Sequence, residues 1–200
     1  MSDPNLDGGL SRAALKERRR FTKLFNQHLK KIESVSLSIL VWGPNPSSSS
    51  LIAKKRIYIK DLLINLGHNA MFSEDLVTEN QHKSLTIKTV EFAQAKHADV
   101  ILSFIEDSPG ALAEVHDFCN EPTLAPKFFI MVPLKYKNSY SSNGAISLLE
   151  KAYNSVYWYS DDELKECSVV SKALSRVQAL REMMFSWKMH GLSVEYRYKR

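Results

Sequence analysis

Glu114 stands four residues after the break Ser108-Pro109-Gly110, which itself follows the apolar run Val100 to Ile105. A short apolar run of this kind is the mark of a strand buried in the middle of a sheet. Ser-Pro-Gly turns the chain sharply, and Ala111 onward reads as the start of a helix. A strand–turn–helix unit exposes backbone N–H groups at the new helix N-terminus, where anions bind well, and Glu114 lies one helical turn further on. The dipole there favours an ionised carboxylate. Such a group can stabilise, or covalently trap, the oxocarbenium-like carbon formed when a bond from sugar to base breaks, as glycosidase carboxylates do. Spacing alone equally allows a surface acid paired with a neighbouring base.

Other chemistries lack their residues. No Gly-x-Gly-x-x-Gly follows a predicted strand and no phosphate-binding loop with its Lys-Ser/Thr pair occurs, which argues against classical dinucleotide redox and triphosphate hydrolysis of that kind. There is no Gly-x-Ser-x-Gly elbow. His28, His68, His82, His97, His116 and His190 are scattered, and Cys119 and Cys167 have no metal-ligand spacing, so neither a metal nor a disulfide framework is expected. The expectation is a site without a cofactor, with a nucleotide or NAD as substrate.

The elements that must position Glu114 follow from hydrophobic periodicity. Ser11 can cap a helix to about Ile32, with Phe21, Leu24, Phe25, Leu29 and Ile32 forming one apolar stripe that should bury against the domain or a partner. Strands are expected at Val35–Trp42, His68–Phe72, Val100–Ile105, Lys127–Val132 and Val156–Tyr159. Helices are expected at Leu51–Leu66 with Gly67 as C-terminal cap, at Ser84–His97, from Ala111, at Ala145–Tyr153, and from a Ser160 cap to about His190. Val170, Leu174, Val177, Leu180, Met184 and Trp187 should form the buried face of that last helix. Residues 1–10 read as a loose arm and Leu192–Arg200 as an edge strand or loose end. The division is thus 1–33 for arm and basic amphipathic helix, 34–190 for the domain, and 191–200 for a tail.

Strands alternating with helices predict an α/β fold, a doubly wound (flavodoxin/Rossmann-like) five-stranded parallel sheet in the order 2-1-3-4-5, with an N-terminal basic helix and a long C-terminal helix. Ligands of such a sheet bind beyond the carboxyl ends of the strands, where strands 1 and 3 diverge. Three loops should meet there: Gly43-Pro44 after strand 1, Glu74-Asp75 after strand 2, and Ser108-Pro109-Gly110 with Glu114 after strand 3. Asp117, on nearly the same helix face as Glu114, could orient a ribose or be a solvated acid. Tyr136 and Tyr140 sit on a loop able to reach the pocket.

Composition sets the remaining bounds. With 44% hydrophobic and 24% charged residues in 200, the chain has an ordinary globular composition. No apolar run approaches the roughly 20 residues of a bilayer span, and the N-terminus lacks a signal-peptide core. A cytoplasmic protein without membrane contact is expected. The net charge of +5 is unevenly placed, because residues 1–33 hold eight Lys and Arg, Arg18-Arg19-Arg20 and Lys30-Lys31 among them. That helix is either a solvated face or a nucleic-acid contact.

The chain resembles nucleoside 2-deoxyribosyltransferase-like proteins, relatives of the TIR-like and lysine-decarboxylase-like nucleotide hydrolases. The likeness rests on Gly43-Pro44, on Ala98-Asp99, and on Ser108-Pro109-Gly110 with Glu114. It is closer still to the deoxyribosyltransferase-like effectors of bacterial retron anti-phage systems. That match adds Glu74-Asp75-Leu76, Glu106, Phe118, Asn120, Asn143-Gly144, Leu148-Leu149 and Ser160 with Glu163 to Glu166, over about residues 35–185. The resemblance implies cleavage of an N-glycosidic bond in NAD or a nucleotide with Glu114 as catalytic carboxylate, in a toxic effector restrained by a reverse transcriptase and its small DNA. It also implies a homo-oligomer or larger complex; a non-catalytic nucleotide-binding sensor or scaffold is the alternative. Ser108 stands where true transferases carry an acid, six residues before the Glu, which favours hydrolysis over deoxyribose transfer. Retron effectors of this kind continue into a C-terminal DNA-binding domain, so DNA contact here is expected from the basic N-terminal helix or from a partner.

Overall fold

A computed structural model describes residues 11–76, 86–106, 108–139 and 143–191. The expected arm, His82, the Ser84 helix start, Tyr140 and the Leu192–Arg200 tail lie outside the described residues. The elements run α1 (Arg12–Glu33), β1 (Ser38–Trp42), α2 (Leu51–Asn65), β2 (Asn69–Phe72), α3 (Ile87–His97), β3 (Val100–Phe104), α4 (Pro109–Phe118), β4 (Phe128–Pro133), α5 (Ala145–Tyr153), β5 (Val156–Tyr159), α6 (Asp161–Lys165) and α7 (Ser168–Met189). All four strand pairings are parallel, and the sheet order is β2-β1-β3-β4-β5, as the alternation of elements predicts.

The central strands are buried on both faces, which is why β3 and β4 read as unbroken apolar runs. Alternate residues feed two cores. Ile39, Val41, Leu102 and Met131 meet α2 and α7 through Ile59, Leu63, Val169 and Val177. Leu40, Trp42, Ile101 and Ile130 meet α3, α4 and α5 through Ala95, Val115 and Leu149. Burying a side chain of Leu or Ile size contributes about 1.5–3 kcal/mol, so these layers set the register to which the site loops are attached.

The ends of the strands are tied by polar groups. At the N-terminal edge, the Ser38 N–H donates to Asp99 Oδ2 at 2.9 Å and the Leu37 N–H donates to His68 Nδ1 at 3.2 Å. Asp99, part of the motif carrying the resemblance, therefore braces β1 against β3 at the edge opposite the switch point. Lys127 is buried, and its Nζ donates to the carbonyls of Ala95 (3.3 Å), Lys96 (2.7 Å) and Ala98 (2.8 Å). A lysine thus satisfies the C-terminal carbonyls of α3, as a cation at that end of a helix should.

Three sequence expectations are corrected. The helix after Ser160 is two helices, because the chain leaves helical geometry at Glu166. Ser160 and Glu163 close a capping box on the short α6, and Lys55 Nζ donates to the Glu166 carbonyl at 2.6 Å. On α7 the fully buried positions are Val169, Val170, Ala173, Val177, Arg181 and Phe185, with Leu174, Leu180, Met184 and Trp187 only half-buried. The face is turned because Arg181 reaches the carbonyl of Leu66 and neighbours His68. In α1 the stripe is not buried: His28 meets Phe185 edge-on, but Phe21, Leu24 and Phe25 remain exposed. Among the described residues, no helix is long and apolar enough to cross a membrane.

Candidate functional site

A cleft of about 400 Å³ opens where β1 and β3 diverge. Its walls come from four elements: Gly43 after β1, Ser73 and Glu74 after β2, one face of α3, and the first turns of α4 from Ser108 to Glu114. Arg56 of α2 forms its floor. The three predicted loops do converge, and Gly43, Glu74, Ser108, Gly110 and Glu114 line one hollow. The size suits a nucleoside or a small nucleotide, since ligand clefts run from about 300 Å³ upward.

Each wall has a local cause. Gly43 has φ +153, and a Cβ on it would meet Phe104 Cβ at 3.0 Å and Arg56 Cδ at 3.2 Å. Only glycine lets the chain pass between those two side chains. Ser108 caps α4, its Oγ accepting from the Ala111 N–H at 3.4 Å, and Pro109 fills the first helical position where no N–H is needed.

Arg56 is fully buried. Its Nε donates to the Val41 carbonyl at 3.1 Å and its Nη1 to the Pro44 carbonyl at 2.7 Å. The guanidinium also grips Glu74 with both nitrogens, Nη1 to Oε1 at 2.9 Å and Nη2 to Oε2 at 2.8 Å, and lies over the Phe72 ring. One arginine thereby fixes the loops after β1 and β2. Burial pushes the Glu74 pKa up, but the hydrogen bonds and charge of Arg56 outweigh it and hold this carboxyl below the usual range.

Glu114 behaves in the opposite way, and here the dipole argument fails. Burial first, then the charge of Glu91 and the hydrogen bond with it, push its pKa up to about 8, with Glu74 adding to the rise and Arg56 opposing it. Desolvation and like charges outweigh a helix terminus whose influence is confined to the first turn. Glu91 is raised too, by burial and by Asp117, against the pull of its hydrogen bond with Glu114. The site therefore holds Glu114 protonated at neutral pH.

The remaining predicted residues fall elsewhere. Pro44 contributes its carbonyl to Arg56 rather than a cleft surface. Asp75 is exposed and outside the lining. Pro109 and Tyr136 line a separate apolar hollow of about 330 Å³ between α4 and α5, which shares Ser108 with the main cleft. Asp117 points to α3, where Lys88 Nζ meets its Oδ2 at 3.0 Å. Glu106 is buried against the other side of the sheet end, accepting from Lys135 Nζ at 2.6 Å and Tyr159 Oη at 3.0 Å. Cys119 is a buried thiol whose pKa burial raises, the reverse of an activated nucleophile. Among the described residues, no group of His, Cys, Asp and Glu could hold a metal ion.

Three lining residues are not singled out by motif reading: Arg56, Glu91 and Gln94. A signal existed for each. Arg56 interrupts the apolar series Ile52, Ile59, Leu63 on the buried face of α2, and a charge on such a face needs a buried partner. Lys88, Glu91 and Gln94 form a polar line at i, i+3 spacing on α3, a helix whose other face is core. Gln94 Nε2 donates to the Ser73 carbonyl at 3.3 Å, and its buried Oε1 has no partner among the described residues.

No curated protein matches the chain. A family model described as STM3845 retron effector protein matches residues 53–193, a span that takes in Arg56, Glu74, Glu91 and Glu114 and leaves out α1 and β1. Well over half the chain is covered, and membership implies the setting of a retron system and suggests a role in anti-phage defence. The chain belongs to the STM3845 retron effector protein family.

Proposed function

We propose that this retron effector cleaves the N-glycosidic bond of a nucleotide, a nucleoside or NAD, by hydrolysis, with Glu114 as the carboxylate facing the sugar. The reading rests on one observation above the others: a half-buried glutamate in a nucleoside-sized cleft at the sheet's switch point, one turn into the helix that the Ser108 cap begins. The likeness of these same residues to nucleoside deoxyribosyltransferase-like proteins supports it.

The reaction breaks the bond from C1′ to the base nitrogen, and the electron pair leaves with the base. Positive charge then grows on C1′ and the ring oxygen. A carboxylate fixed beside that carbon is stronger there than in water, because the surroundings are low in dielectric and need no reorganisation. Water completes the hydrolysis by bonding to C1′. Glu74, ionised and held in place by both nitrogens of Arg56, is suited to accept hydrogen bonds from sugar hydroxyls. The alternative, transfer of the sugar to a second base, would need the same carboxylate to survive as a covalent ester until that base arrived.

The test is release of free base or nicotinamide by the purified effector, activated with its retron partners, followed by chromatography. Wild type is expected to release it, and Glu114→Gln to reduce release at least a thousandfold. Unchanged release in Glu114→Gln would remove the mechanism. Tight nucleotide binding by calorimetry with no turnover would instead make the cleft a sensor.

A further inference from the structure

Helices α3 and α4 meet in antiparallel register. Lys88, in the first turn of α3, pairs with Asp117, in the last turn of α4, at 3.0 Å. One turn inward on each helix stand Glu91 and Glu114, in side-chain hydrogen-bond contact, and one turn further stand Gln94 and Ala111. The line of contact leads from an exposed ion pair into the cleft. Glu91 and Glu114 are its first members inside the cleft wall.

We propose that Glu91 is the proton partner of Glu114: it takes the Glu114 proton when substrate enters and delivers it to the departing base. This rests on the N-glycosidic reading above. Two carboxyl groups in contact cannot both ionise without strong repulsion, so the pair keeps one proton and one negative charge. The groups around it reinforce this. Glu74 adds negative charge from the β2 side, Arg56 offsets part of it from the floor, and Lys88 is engaged with Asp117 at the rim.

The steps balance. As positive charge develops at C1′, the negative charge is stabilised on Glu114, and the proton passes to Glu91. The C1′–N bond breaks, its electron pair stays on the ring nitrogen, and that nitrogen takes the proton from Glu91. The oxygen of water bonds to C1′, and the proton it loses returns to Glu91. The products are free sugar and neutral base, and the pair regains its single proton.

Nicotinamide leaves NAD as a neutral molecule and needs no proton, which gives the experiment its contrast. Activated effector is assayed on dAMP and on NAD, as wild type and as Glu91→Gln. General-acid catalysis is worth roughly 10² to 10⁴-fold. The variant should therefore lose about 10² to 10³-fold in kcat/KM on dAMP and less than about tenfold on NAD. Equal losses on both, or a wild type that cleaves NAD and leaves dAMP untouched, would overturn the assignment. A measurement independent of turnover accompanies it: ¹³C NMR titration of glutamate carboxyls, with the Glu114 signal assigned by its disappearance in Glu114→Gln. That signal should titrate near 8 in wild type and fall toward the ordinary carboxylate range in Glu91→Gln. A signal that does not move would end the idea of a shared proton. If wild type cleaves neither probe, the reaction itself is refuted, and the titration alone decides whether the pair exists.

Discussion

Replacing Arg56 by Met removes the guanidinium while keeping most of the volume of a side chain that has no exposure to solvent. The carbonyls of Val41 and Pro44 lose its donors, and the methionine offers none. A buried polar group stripped of its partner costs about 1–3 kcal/mol. The Glu74 carboxylate is about half-exposed and can turn to water, so its ion pair adds at most about 1 kcal/mol. A total loss of about 3–5 kcal/mol follows, and at about 2–4 °C per kcal/mol for a domain of this size, Tm should drop by roughly 10 °C. Urea unfolding at pH 7 measures the first figure and calorimetry the second. Acid titration gives an internal control. Glu74 is held below its unfolded pKa of 4.5, so its share of stability is present above that value and is lost as pH falls through the folded pKa. The gap between wild type and Arg56→Met should therefore narrow below pH 4.5. A loss under about 1 kcal/mol at pH 7 would show that Arg56 does not tie the loops together.

Four further outcomes are expected. The folded pKa of Glu114, about 8, lies above the unfolded 4.5, so its neutral form favours the fold and that stability is lost as pH rises toward 8. At pH 9, Glu114→Gln should be the more stable protein by about 2 kcal/mol, after allowing for its half-exposed position, and at pH 4 the two should unfold alike. His68 is held down to about 4 by burial and by Arg181. The unfolded chain then binds the extra proton between about 6.5 and 4, stability falls over that window, and His68→Asn, whose Oδ1 can still accept from Leu37, should flatten the fall in a pH series of urea melts. Gly43→Ala must move Phe104 or Arg56, and should cost about 1–3 kcal/mol in urea unfolding while weakening ligand binding in the cleft. Ser108→Ala loses the α4 cap and should cost about 1 kcal/mol, again by urea unfolding, with the cleft otherwise intact.

Where one face of an element decides its burial, the fold was legible. The runs Val100–Phe104 and Phe128–Pro133 are apolar throughout because both faces are covered, and the alternation of strands with helices then leaves few topologies. Boundaries slipped where a side chain, not a period, ends the element. Lys55 stops α6 from continuing into α7 by taking the Glu166 carbonyl, and nothing near Glu166 in sequence announces a lysine more than a hundred residues away. The site divided in the same manner. Glu114, Gly43, Ser108 and Gly110 sit on turns with sequence signatures, and Glu74 follows a strand. Arg56 and Glu91 sit mid-helix, and their roles exist only once α2 lies under the cleft and α3 beside α4. The ionisation of Glu114 was misjudged for the same reason. The dipole of its own helix is a local property, whereas Glu91 reaches it across tertiary contact.

The lysine at the end of α3 has a mechanical consequence. Lys127 grips three carbonyls at the His97 end, whereas at the Ile87 end the side-chain tie between helices is the Lys88–Asp117 pair in solvent. Such a helix is a lever, stiff at its fulcrum and compliant at its tip. Glu91 lies six residues from His97, about 9 Å out along the axis at 1.5 Å per residue. A tilt of about 10° would carry it roughly 1.6 Å, and a misplacement of about 1 Å is enough to slow catalysis a hundredfold. Pressure on the tip of α3 can thus disarm the carboxyl pair with nothing entering the cleft, a throttle worked from outside the site.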